Sequence, residues 1–402
     1  MTTTQIRPRN FTSSFAMLIL ALSPMLHYYN IGSTKISILA LLCSLVFSIN
    51  LFKGKIKAST LPNIYWCYWG WCAIQMYLIA GIAGWSDYLP GGILLCLFSM
   101  CLMGMIPSFN YHQLFKFMKW TFIIASVLMI YQHILYLAAG IPTCLLPHLT
   151  NDIGGFTYEE MVQRHINSGG AGRFCSFFME PSYMGQYGLV LLTMELFRSA
   201  NINKPASSFA VFIGIVLLIL RSGAGLLGMS IIAIVKIGYI IFVTRQSKYY
   251  LLLALLIPIT IVGIKYYLDS SAGAYVASRV AELDSSSEGS SGFVRIFYGW
   301  NMFSELSIKE MIFGTSRNIA TQAYESGFSN MFSYIATSQG IIGLSLLLLF
   351  YFQECKIQPF QITALVISLI IIGMIEACFL GGLMLIITTI AIAAKQGPSY
   401  LM

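Results

Sequence analysis

The chain has 402 residues, of which 57% are hydrophobic and only 9% charged; a soluble domain carries about 25% charged residues, so a water-soluble globular fold is excluded. Its net charge of +8 does not mark a nucleic-acid groove, because most basic residues flank apolar runs in the pattern of topology signals. There is no Walker loop, no zinc-spaced Cys/His cluster and no EF-hand loop, so neither a nucleotide nor a metal cofactor is expected.

Apolar runs of membrane-spanning length fall near 13–30, 34–52, 62–82, 89–109, 117–139, 181–199, 205–220, 223–243, 249–268, 329–351, 358–375 and 377–394. They predict an all-α polytopic membrane protein of about twelve helices. Arg7 and Arg9 precede the first run in the manner of a signal peptide. A second span follows closely and no small-x-small cleavage site appears, so this segment reads as an uncleaved first helix. One side of the bundle collects Arg7, Arg9, Lys53, Lys55, Lys57, Lys116, Lys119, Arg198, Lys204, Arg245, Lys248, Lys356 and Lys395. The positive-inside rule puts that side, and both termini, in the cytoplasm. Lys236 lies within the eighth span and is expected to snorkel to the cytoplasmic interface.

Two connections break the pattern of short turns, and both fall on the outer side. The chain accordingly divides into N-terminal transmembrane helices over 1–139, a first long loop over 140–180, central helices over 181–268, a second long loop over 269–328 and C-terminal helices over 329–402. Long loops with no repeat or linker composition are usually functional. The first ends in Arg173-Phe-Cys-Ser-Phe-Phe-Met-Glu180-Pro181-Ser182-Tyr183, in which proline suits the first turn of the helix that follows. Cys144 and Cys175 share this loop and can pair if it faces an oxidising compartment; the other cysteines lie mostly in apolar runs as small hydrophobes. In the second loop, Asp284 to Gly292 is a flexible linker-like run. Beyond it Phe293, Ile296, Phe297, Trp300 and Phe303 recur at helical spacing, with Ser290 or Ser291 as a cap, which predicts an amphipathic helix with Trp300 at headgroup level.

Gly223-Ala-Gly225-Leu-Leu-Gly228 matches a dinucleotide fingerprint by letter, but it opens a membrane helix and follows no strand; its glycines are expected to permit close helix packing. Arg221-Ser222-Gly223 sits at a helix N-terminus, where free N–H groups and an arginine favour an anion. Arginine forks bind two phosphate oxygens at once, so Arg173, Arg221 and Arg295, with Arg164 and Arg279 behind them, are candidates for a lipid phosphate or pyrophosphate. Glu180 is a candidate general base for a sugar hydroxyl, with a helix cap paired to Arg173 as the alternative role. His165, with His148, is one of only two histidines in an outer loop, and it is a loop residue more readily than a catalyst.

Several stretches resemble the bacterial O-antigen polymerase family, within the O-antigen ligase/polymerase group of membrane glycosyltransferases. They are Arg173 with Glu180-Pro181-Ser182; Leu220-Arg221-Ser222-Gly223-Ala-Gly225; Arg295 followed by Ile312-Phe313-Gly314; and Asn330-Met-Phe with Gly340-Ile-Ile-Gly343-Leu. The resemblance spans roughly residues 140–350. It implies a GT-C-like fold in the bacterial inner membrane with two long periplasmic loops. The implied reaction joins undecaprenyl-pyrophosphate-linked oligosaccharide repeat units by inverting glycosyl transfer, with the arginines stabilising the leaving pyrophosphate. It further implies a lipid-linked donor and acceptor, a chain-length regulator as protein partner, and Ser182, Tyr183, Asn330 and His165 as further site positions. The arginine, ten residues, glycine spacing described for both loops of that family is not found here. The related ligases carry a histidine in the second long loop; none follows His165 here, which favours polymerase over ligase. A lipid-linked glycan flippase is the alternative from another class, but flippases carry charge in a central cavity, whereas here the charge lies in the loops.

Overall fold

The computed structural model describes residues 11–32, 36–80, 85–170, 172–198, 201–204, 206–242, 297–315, 330–357, 359–376 and 378–395. It is mostly helical. In chain order the helices are α1 (Phe11–Leu26), α2 (Ile38–Phe52), α3 (Asn63–Ala80), α4 (Trp85–Met105), α5 (Tyr111–Ala139), α6 (Tyr158–Gly170), α7 (Pro181–Leu196), α8 (Ser208–Leu220), α9 (Gly223–Phe242), α10 (Gly299–Ser304), α11 (Ile308–Phe313), α12 (Met331–Ile357), α13 (Phe360–Ile375) and α14 (Gly382–Ala394). Every expected apolar span that falls on described residues coincides with one of these helices; the span expected at 249–268 lies outside them. Four stretches, Gly91–Ser108, Tyr111–Ala139, Gly223–Phe242 and Met331–Lys356, are long and apolar enough to cross a membrane, and α1, α2, α8, α13 and α14 are shorter apolar helices.

The chain divides into two compact units, one of Met1–Asn63, Leu95–Glu180 and Leu380–Met402, the other of Ile64–Leu94 and Pro181–Phe379. In the first unit, α1 packs against α2, α5 and α14. The whole of α14 is buried. Its first residue, Gly382, lies against the backbone of Ser23 and Pro24, and Ser23 Oγ donates to the Leu20 and Gly382 carbonyls at 2.7 and 3.0 Å. Buried Asn50 on α2 donates from Nδ2 to the Gly104 carbonyl and to Ser108 Oγ, each at 2.8 Å, which satisfies the amide nitrogen that burial alone would penalise; its Oδ1 has no partner among the described residues.

The all-α expectation needs one correction. Short strands β1 (Tyr29–Ile31), β2 (Ile36–Ser37), β3 (Asp152–Ile153) and β4 (Phe156–Thr157) form an antiparallel sheet in the order β2-β1-β3-β4. Tyr29 faces Ile153 and Asn30 faces Asp152 across the central pair. Gly154 and Gly155 turn the β3–β4 hairpin at φ 62° and 89°, the left-handed region that a two-residue hairpin turn requires. Thr157 and Glu160 then cap α6 reciprocally, Thr157 N–H on Glu160 Oε2 at 2.8 Å and Glu160 N–H on Thr157 Oγ1 at 3.3 Å. The first long loop is thus a folded sheet-and-helix layer tied to the end of α1.

In the second unit, α7 is the central helix. All of its residues except Tyr183 are buried, and it packs against α8, α9 and α13. The glycines of α9 admit it closely, as expected from their small-residue pattern. A Cβ on Gly225 would stand 3.3 Å from Gly185 Cα, and one on Gly228 would collide with Leu189. Lys236 does not snorkel. It is 2% exposed, and its Nζ donates to the carbonyls of Leu196, Asn201 and Ile202 at 2.6, 3.0 and 2.9 Å. The ammonium therefore caps the C-terminal end of α7, where the helix dipole favours a cation.

Helix α12 is broken at Gly340, whose φ and ψ are 72° and 175°. The segment leaving α11 fills the break: Thr315 N–H donates to the Thr337 carbonyl at 2.8 Å. Gln75 of α3 donates to the Phe313 and Ser338 carbonyls at 2.6 and 2.7 Å, and Trp71 Nε1 to the Gln339 carbonyl at 3.0 Å. A break of this kind leaves carbonyls without intrahelical partners, and here side chains of a second helix supply them.

Candidate functional site

The first long loop is bounded as the sequence indicates. Gly140 closes α5 in the left-handed conformation at φ 68°, with its N–H on the Tyr136 carbonyl at 2.8 Å, and α7 opens at Pro181. Between them, one side chain organises the loop. Gln132, on α5 and 1% exposed, donates from Nε2 to the Thr143 carbonyl at 2.7 Å and accepts at Oε1 from Ser176 N–H at 2.9 Å. A single carboxamide so holds both ends of the loop. Ser176 adopts φ 59°, a left-handed conformation costing of order 1–2 kcal/mol for a non-glycine residue, and the Gln132 bond to its N–H holds it there.

Around this clamp lie the predicted residues of the first unit. Arg173 is half-buried; its N–H donates to the Ser168 carbonyl at 2.9 Å and its own carbonyl accepts from Ser168 Oγ at 2.8 Å. Its Nε is buried with no hydrogen-bond partner among the described residues. The same is true of Tyr29 Oη, Thr143 Oγ1 and Ser176 Oγ, with Tyr29 only 2% exposed and Ser176 fully buried. Unpaired buried donors are rare, and each asks for an acceptor. Glu180 is half-buried immediately before α7.

His165 is buried rather than a solvated loop residue. Both of its ring nitrogens lie 3.8 Å from Cys175 Sγ. Burial pushes its pKa below the usual imidazole value, partly offset by hydrogen bonds to the backbone of Met179 and Phe178. The imidazole is therefore neutral at neutral pH. Cys144 and Cys175 are both free thiols. Burial raises the Cys175 thiol well above the usual range; the charges of Cys144 and Glu180 push the same way, and Arg173 opposes them. Arg164 is exposed on α6, with its guanidinium carbon 3.8 Å above the centre of the Phe156 ring.

The second unit holds the other candidates. Arg221 is exposed and ends α8 at φ 52°; it is the C-cap of one helix rather than the first residue of the next. The cap of α9 is the buried Ser222, whose Oγ accepts from Gly225 N–H at 3.3 Å, so one of the expected anion-binding N–H groups there already has a partner. Ser182 is buried in the first turn of α7 and Tyr183 is half-buried beside it. Asn330 is a helix cap, its Oδ1 accepting from Ser333 N–H at 2.8 Å. Arg279 and Arg295 lie outside the described residues, as do Ser290, Ser291, Phe293 and Ile296 of the amphipathic helix. Its described remainder is the short α10, with Trp300 39% exposed. Next to it α11, not expected from the sequence, carries a capping box of Ser307 and Glu310.

The structure thus brings Arg164, His165, Arg173 and Glu180 into one folded loop. Sequence reasoning missed Gln132, Tyr29 and Ser176. Gln132 had a signal, an amide inside the apolar run of α5, where polar groups in a membrane span are expensive and need partners. Two motifs quoted above for the family resemblance also meet: a Cβ on Gly340 would run into the Ile312 carbonyl and crowd Gly314 N. No protein-family model matches the chain, and no curated protein matches it.

Proposed function

We propose that this protein polymerises undecaprenyl-pyrophosphate-linked oligosaccharide repeat units into O-antigen or a related surface polysaccharide at the periplasmic face of the inner membrane. The observation that carries the reading is the buried Arg173 Nε, without a hydrogen-bond partner among the described residues, in a loop whose Thr143 and Ser176 hydroxyls are likewise unpartnered there, as is that of Tyr29 on the strand β1 of the same unit. All four are hydrogen-bond donors, which suits a ligand made of phosphate and hydroxyl oxygens. The acceptor sugar hydroxyl attacks the anomeric carbon of the donor glycan with inversion. The bond to the lipid pyrophosphate breaks, and Arg173 stabilises the developing negative charge; Arg221 and Arg295 are the further arginine candidates for that role. Glu180 stands near the acceptor as the base. Donor and acceptor are both membrane lipids carrying glycan, and chain length is set with a separate regulator protein.

The test is glycan length. Cells carrying Arg173→Ala or Arg295→Ala should retain the protein in the membrane and display surface glycan of a single repeat unit. Full-length ladders in both mutants would refute the assignment. Elongation by purified protein supplied with lipid-linked units separates polymerisation from transport.

A further inference from the structure

We propose that Cys144 and Cys175 are a reactive thiol pair that takes up a disulfide from an external disulfide oxidant, with Cys144 as the entry thiol. The inference does not rest on the glycan reading. Its ground is the Gln132 clamp. The carbonyl that Gln132 binds belongs to the peptide joining Thr143 to Cys144, and the N–H it binds belongs to the peptide joining Cys175 to Ser176. One carboxamide therefore lies between the peptide groups that carry the two cysteines, although 30 residues separate them in sequence.

The two thiols are unequal in access. Cys144 is partly exposed and Cys175 is buried, so only Cys144 can meet a bulky oxidant. Cys175 instead has a neutral imidazole at 3.8 Å. Both ring nitrogens of His165 stand at that distance from the thiol, and a neutral imidazole can accept its proton. The chemistry is thiol–disulfide exchange. The Cys144 thiolate attacks an oxidant RSSR, a Cys144–SR bond forms and one RS⁻ leaves. Cys175 passes its proton to His165, its thiolate attacks the Cys144 sulfur, the internal disulfide forms and the second RS⁻ leaves. The protein loses two electrons and two protons, and RSSR becomes two RSH. The bridge closes a loop containing β3, β4 and α6 and pins the chain two residues from Arg173 and five from Glu180, so the redox state of the pair sets how rigidly that segment is held.

The experiment uses full-length reduced protein in detergent with oxidised glutathione as the probe, followed by acid quenching, alkylation and peptide mapping. The expected product is the Cys144–Cys175 linked peptide pair, with no lasting glutathione adduct. Cys175→Ser should stop with glutathione on Cys144. Cys144→Ser should leave Cys175 unmodified until the protein is denatured. His165→Asn should form the Cys144 adduct at the wild-type rate, which checks that it is folded, while slowing ring closure at least about tenfold. A glutathione adduct that persists on wild-type Cys144 would overturn the proposal. So would two thiols that react only in denaturant. Equal closure rates in wild type and His165→Asn would remove His165 from the step.

Discussion

Replacing Lys236 by methionine is the sharpest test of how the second unit is built. Methionine keeps the unbranched stem and its packing but removes the ammonium, and three carbonyls lose their donor at once: Leu196, Asn201 and Ile202, now bound at 2.6–3.0 Å. Two effects compete. Removing a buried charge relieves a desolvation cost, and replacing whole buried ion pairs by apolar groups is often neutral. Here the acceptors stay behind. A buried acceptor left unsatisfied costs about 1–3 kcal/mol, and hydrogen bonds to a charged donor contribute about 1.5–3 kcal/mol each. Partial rehydration at the end of α7 and the relieved desolvation offset some of this, which leaves a net loss of roughly 2–4 kcal/mol. For a cooperative unit of this size that lowers Tm by roughly 5–10 °C. Thermal unfolding of purified protein in detergent, followed by tryptophan fluorescence, reads it directly. Lys236→Arg should fall between, since the charge remains but a planar fork cannot aim donors at three carbonyls around one point. An unchanged or higher Tm in Lys236→Met would refute the capping argument and restore the snorkelling lysine that the sequence suggests.

Gly340→Ala should abolish accumulation of folded protein, because a Cβ there meets the Ile312 backbone and the residue sits at φ 72°. Gly238→Ala, in a helix with open space around it, should instead leave Tm unchanged or slightly raised, since alanine is favoured over glycine by about 1 kcal/mol in a helix interior; membrane levels and Tm of the two variants check this. His165 gives a pH prediction for the loop. Its folded pKa lies below the usual 6.5, so the unfolded state binds the proton more readily. Its contribution is therefore complete above about 6.5 and is lost as pH falls from there through the folded value. Tm measured from pH 8 to pH 5 should decline more steeply in wild type than in His165→Gln, and parallel profiles would contradict the buried imidazole.

Much of the fold was legible because apolar run length is a strong signal. The helix start at Pro181 and the α5 end at Gly140 were readable from punctuation residues, and the packing role of Gly225 and Gly228 from their spacing. What was not legible shares one physical feature, dependence on distant partners. The strands over 29–31, 36–37, 152–153 and 156–157 are too short for an alternating pattern to show; only Gly154-Gly155 hinted at them. Lys236 finds carbonyls 34 to 40 residues away, and Gln132 bridges residues 11 and 44 positions distant. A lone glycine such as Gly340 is tolerated in many helices, so its break follows only from the 312–315 segment lying beside it. In the site, Arg173 and Glu180 were found as charges out of place at a helix start. Asn330 and Ser222 were read as site and anion-turn positions and are caps.

That division bears on what the family resemblance can carry. Of its four motifs, three contain small residues whose contacts are now explained by packing. Gly225 meets Gly185 at the α7–α9 crossing, Gly340 admits the chain at Ile312 and Gly314, and Gly343 lies against Gln339 and Trp71. Asn330 and Ser222 close helix ends. Residues fixed by packing and capping are accounted for by the helix arrangement itself and carry no weight for a particular activity. Arg173 is different. Among the described residues nothing about the loop's fold requires a guanidinium there, because Ser168 binds only its backbone, yet its Nε is buried without a partner among them. A methionine, whose unbranched chain reaches as far as that nitrogen, would remove that cost. The cost is tolerable only if an acceptor offsets it, and so the weight of the functional reading falls on Arg173 alone, where the glycan-length test is aimed.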